Sequence, residues 1–233
     1  MKRGLVSALC ITAVMLTMAA TSSAGGRAGL NDPSLAGLTP GYDSQRAALA
    51  HAREIRAEVD ARYRRPRGLR LAVTEASTTG VIDSFTLFGS GMEMPRVVPA
   101  ANGIYFAVCP VRATCPYPGR RFARSPAAFA PRRAALELAV RTFLETSANL
   151  VVVSLPTARF VLLVLERADV IGEGDASALR DALAGDPASA PDVWLQSIVD
   201  EMTLPRLFAP WALAAVSETR ETLVATCLWP NSP

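Results

Sequence analysis

NLVVVSLPTARFVLLVLE, residues 149–166, decides the fold class. Two short runs of valine and leucine flank Pro156, Thr157, Ala158 and Arg159. Each run has the length of a strand, and the break between them suits a hairpin loop. Their near-continuous apolar character predicts burial on both faces, so they read as central strands.

Working outward, residues 69–74 and 81–88 alternate apolar and polar side chains around the polar stretch 75–80. They read as a second hairpin with a long loop. Asn102 and Gly103 signal a turn before a short strand at 104–108. Helical spacing places Leu49, Ile55 and Val59 on one stripe, in a helix that starts near Asp43 or Ser44 and stops before Pro66. A second helix begins near Pro131 and carries Leu136, Val140, Phe143 and Leu144 on one face. Later, residues 177–183, 192–199 and 211–217 read as helices, while 221–228 suits either helix or strand. Adjacent strands joined by short loops, with helices before and after, predict an α+β fold. The expected architecture is an antiparallel sheet of about five strands with helices packed on it. To this are added an irregular disulfide-stapled loop and a mostly helical C-terminal part.

The chain opens with Lys2 and Arg3, then an uncharged apolar run at 4–20, then Ser22, Ser23 and Ala24. This is the pattern of a secretory signal peptide cleaved after Ala24. The run falls short of the roughly 20 residues of a spanning helix, which argues against a retained anchor. The expected organisation is a signal peptide at 1–24, a flexible linker at 25–42, an α+β core at 43–170 and a mainly helical extension at 171–233. The chain is then placed outside the cytoplasm, secreted or in the cell envelope. Lys2 is the only lysine, and alanine, arginine and proline abound. That bias fits a bacterium with GC-rich coding.

Export makes a disulfide the first reading of Cys109 and Cys115, which lie close together around Pro110. Cys227 is then left over. Neither a C-x-x-C redox spacing nor a zinc-ligand pattern occurs, and His51 is the only histidine. No metal or cofactor is expected. His51 falls on an Arg/Glu-rich helix and reads as a solvated helix-face residue rather than a catalytic base. No G-x-S-x-G, P-loop, H-E-x-x-H or EF-hand pattern is present, and Ser-x-x-Lys chemistry has no lysine.

Net charge is +3, reduced to +1 without Lys2 and Arg3, which does not suggest nucleic acid. The charge is uneven. No acid falls between Glu93 and Glu137, whereas Arg96, Arg112, Arg120, Arg121, Arg124, Arg132 and Arg133 do. Acids dominate after Asp169. Two readings compete: complementary halves of one fold, or an Arg-rich surface for an acidic partner, anionic lipid or acidic glycan. A stapled loop presenting Arg112, Tyr117, Arg120, Arg121 and Arg124 has the makeup of a recognition surface, with peripheral membrane contact within its reach. The leading expectation is therefore a non-catalytic binding or accessory protein. A second is an envelope hydrolase with Glu75 and Asp83 as its carboxylate pair, brought together by the hairpin at 69–88. Glu166 and Arg167, at the end of a buried strand, are a weaker candidate. A third is a structural subunit whose interface includes Trp194, Trp211 and Trp229.

Overall fold

The computed structural model describes residues 40–64, 71–80, 82–89, 94–110, 129–155, 161–171, 176–217 and 220–227. The order of elements is α1 (Pro40–Arg64), β1 (Leu71–Thr78), β2 (Ile82–Phe88), β3 (Arg96–Pro99), β4 (Gly103–Pro110) and α2 (Phe129–Glu145). Then come β5 (Leu150–Leu155), β6 (Val161–Glu166), α3 (Arg167–Ile171), α4 (Ala176–Leu183), α5 (Val193–Thr203), β7 (Leu207–Ser217) and β8 (Arg220–Cys227).

β5 and β6 pair antiparallel and are buried on both faces. Their period of two divides two cores. Val151, Val153, Leu163 and Leu165 face the helices, while Leu150, Val152, Leu162 and Val164 join a second cluster with Phe85, Val98, Phe208 and Leu223. Alternation keeps every side chain of the pair but Glu166 out of water, which explains why the sequence reads as a near-continuous apolar run.

The sheet around this pair differs from the expected one. It is mixed, not antiparallel, and among the described residues it has eight strands in the order β1-β4-β5-β6-β7-β8-β2-β3. β4 lies parallel to β5, joined through α2 in a β-α-β crossover, and β2 lies parallel to β8. The hairpin expected at 69–88 does not form. β1 pairs with β4, whereas β2 pairs with β3 and β8. The supposed turn at 75–78 is strand, with a register shift between Val73 and Glu75. The C-terminal part is not mostly helical, because β7 and β8 complete the sheet between β6 and β2. Alanine and leucine at 211–217 favour a helix in isolation, but the long β7–β8 ladder overrides that preference. Among the described residues no disulfide joins two cysteines. Cys227 is not disulfide-bonded, and Cys115 lies outside the described residues, so the expected Cys109–Cys115 staple falls outside the fold described.

β1 runs on into β2 and β3 into β4 around a shared corner, so the first strand of the sheet leads directly into its seventh. Gly80 and Asn102 take positive φ there, 68° and 56°. The Thr79 hydroxyl donates to the Ala100 carbonyl at 2.9 Å, and Gly103 N donates to the same oxygen at 2.9 Å. A methyl group on Gly103 would meet Thr79 Cγ2 at 2.6 Å and Ala100 O at 2.8 Å, so the corner closes only on glycine.

The helices cover one face of the sheet. Ala48, Ala52, Ile55, Val59 and Tyr63 form the buried stripe of α1. α2 lies deeper, with Pro131 through Val140 all buried. That depth forces its charged residues to find partners within the fold. Arg132 answers Asp200, and Arg133 donates to the carbonyls of Leu183, Gly185 and Asp186. No helix among the described residues is long and apolar enough to cross a membrane.

Candidate functional site

The sheet face opposite the helices is apolar at its centre and polar towards two ends. At one end the register sets Ser77 opposite Tyr105. The Tyr105 hydroxyl donates to Ser154 Oγ at 2.9 Å, and Ser77 Oγ donates to Glu75 Oε1 at 3.0 Å. Burial pushes the Tyr105 hydroxyl up to about 12; Ser154 pulls the other way and the Glu75 charge adds to the rise. Glu75 thus sits in a hydroxyl cluster on β1. Asp83 is exposed on β2, where its carbonyl accepts from Ala100 N at 2.8 Å. Because β1 and β2 do not pair, no ladder sets the two carboxylates side by side.

The other end opens into a cleft of about 510 Å³. Val98 from β3, Leu150 and Asn149 at the start of β5, and Ala168 and Ile171 from α3 line it, with Glu166 at the end of β6. Glu166 faces this way because it continues the inward phase of Leu162 and Val164. Its Oε1 lies 2.6 Å from Arg96 Nη1 on the edge strand β3, yet this buried oxygen receives no well-directed hydrogen bond. Arg167 also lines the cleft, and its guanidinium is held by backbone carbonyls at the end of α2. Nε donates to the Ala148 carbonyl at 2.9 Å, Nη1 to Phe143 O at 2.6 Å and Nη2 to Thr146 O. It therefore closes the C-terminal end of α2 and stacks 5.7 Å from the Phe143 ring. Partial burial lowers its pKa from the usual arginine value. Asp169 accepts from Glu166 N and pairs with Arg206, which keeps its own charge answered.

The α1–α2 contact holds two further titratable groups. His51 is not simply solvated. Nε2 meets Glu145 at 2.9 Å and Nδ1 meets Glu54 at 3.0 Å, and the hydrogen bond with Glu145 leads in raising its pKa. Glu137 is fully buried, with Oε1 2.5 Å from Arg62 Nη1. Burial outweighs the attraction of Arg62 and pushes its carboxyl up to about 6. Glu137 Oε2, the Tyr63 hydroxyl and Arg133 Nε are all buried and make no hydrogen bond of good geometry. Sequence reasoning missed this cluster. The available signal was a single acid, Glu137, between Leu136 and Leu138 on an otherwise apolar stretch.

Arg112, Tyr117, Arg120, Arg121, Arg124 and Cys115 lie outside the described residues, as do the signal-peptide segment and residues 25–39 of the expected linker; its last three residues, 40–42, belong to α1. Trp194 is half-exposed beside the exposed Val193 at the start of α5, Trp211 is part of β7, and Trp229 lies outside the described residues. Among the described residues no group of histidine, cysteine or acidic side chains could hold a metal ion. No family model, curated protein or solved structure matches the chain.

Proposed function

We propose that the chain is an exported, non-catalytic binding or accessory protein of the cell envelope. Arg112, Arg120, Arg121 and Arg124, with Tyr117 among them, meet an acidic partner or anionic surface. The observation that carries this reading is the fate of the other arginines in the acid-free stretch. Arg96 is paired with Glu166, Arg132 with Asp200, and Arg133 is spent on three backbone carbonyls. The acidic C-terminal half thus answers part of the stretch, and the complementary-halves reading accounts for those residues. The four arginines between β4 and α2 have no acid within their own segment. The segment also follows the carboxyl end of β4, one of a parallel pair with β5, where α/β folds often carry ligands.

The carboxylate-pair hydrolase has no comparable support, since the hairpin it required is absent.

A salt titration tests the proposal. Phosphatidylglycerol vesicles and an acidic polysaccharide are the probes, with phosphatidylcholine vesicles as the neutral control. Binding to at least one anionic probe is expected at low salt, with most of it lost once the screening length falls to roughly 3 Å near 1 M salt. Absence of binding to both at low salt, or binding that ignores salt, overturns the proposal.

A further inference from the structure

We propose that the cleft between β3, β5, β6 and α3 binds a small amphiphilic cation, a primary ammonium on an apolar stem, with Glu166 as its counter-ion. Arg96 is then the built-in occupant that the ligand displaces. The inference is independent of the Arg-rich segment.

Three observations converge on this chemistry. The volume, about 510 Å³, lies within the range of small-molecule sites. The walls are mainly apolar, supplied by Val98, Leu150, Ala168 and Ile171, so the ligand's body is hydrocarbon. The carboxylate of Glu166 brings a buried oxygen that lacks a well-directed hydrogen bond, so the ligand's head is a donor.

Charge decides between a neutral donor and a cation. Arg167 is committed to three carbonyls and Asp169 to Arg206, which leaves Glu166 and Arg96 as the exchangeable pair. A cation replacing Arg96 leaves the charge of the cleft unchanged, whereas an anion would face Glu166 directly. The Arg96 side chain is 52% exposed on a four-residue edge strand, so its ion pair is weak and its release into water costs little.

Hexylammonium, hexanoate and hexanol, titrated into the purified chain and followed by the amide shifts of Leu150, Ala168 and Ile171, test the site. Hexylammonium is expected to move these signals saturably, with the other two much weaker. Glu166→Gln should weaken hexylammonium by about tenfold, because a charge-assisted hydrogen bond becomes a neutral one. Arg96→Ala should tighten it several-fold by removing the internal competitor. Hexanoate binding as well as hexylammonium, no saturable binding of hexylammonium, or weaker binding in Arg96→Ala would overturn the proposal. Should Glu166→Gln fail to fold, the three-probe comparison and Arg96→Ala still decide.

Discussion

Arg132→Ala lowers the unfolding free energy by about 3 kcal/mol, read as a reduced urea midpoint at constant m-value. The Arg132 side chain is 3% exposed at the first turn of α2. Nη1 donates to Thr203 Oγ1 at 2.8 Å and to the Val199 carbonyl at 3.4 Å, while Nη2 meets Asp200 at 2.6 Å. Those partners all lie on the second half of α5, so one side chain ties α5 to α2. Truncation removes the charge-assisted bonds and leaves a cavity where the stem ran. Breaking a buried pair costs about 3–5 kcal/mol, and the lower end applies because Asp200, 37% exposed, rehydrates once released. An unchanged midpoint would mean that α5 is held by its apolar contacts alone.

Acidification from pH 7.5 to pH 5 stabilises the fold, and Glu137 is the main cause. Its folded pKa, about 6, lies above the ordinary 4.5. The folded state therefore holds the proton more tightly than the unfolded state. This contribution is complete below 4.5 and is lost as pH rises through 6. The difference corresponds to about 2 kcal/mol at 1.36 kcal/mol per pKa unit. His51, whose pKa is also raised, acts in the same direction: its contribution is present below 6.5 and disappears above its folded value. Glu145 opposes them at the acid end. Its pKa is lowered by Arg141 and His51 against the effect of burial, so its contribution is lost as pH falls below 4.5 through its folded value. Urea midpoints should therefore peak between about 4.5 and 6, and Glu137→Gln should remove most of the slope between pH 5 and 7.5. A slope unchanged in Glu137→Gln would assign the effect elsewhere.

What the sequence reveals follows the range of its signals. β5 and β6 are legible because both faces are buried and only residues 156–160 separate them. α1 is legible through its stripe, and α5 through Asp192, whose carboxylate caps Leu195 N at 2.6 Å. Pairings that depend on distant segments are not legible. β4 reaches its parallel partner β5 only across residues 111–128 and α2, and β2 finds β8 across most of the chain. The strand at 207–217 hides behind alanines that favour a helix. The same limit applies to the cleft. Glu166 at a strand end is visible, but Arg96 lies three strands earlier in the chain, and nothing local joins the two.

The Arg-rich segment is tested most directly by replacing Arg120, Arg121 and Arg124 together with alanine. Binding to the anionic probe retained by the wild-type chain is measured beside Arg53→Ala, a substitution on the exposed face of α1. The triple variant is expected to lose most of its binding at low salt, while Arg53→Ala keeps it. A triple variant that binds as the wild-type chain does contradicts the proposed function.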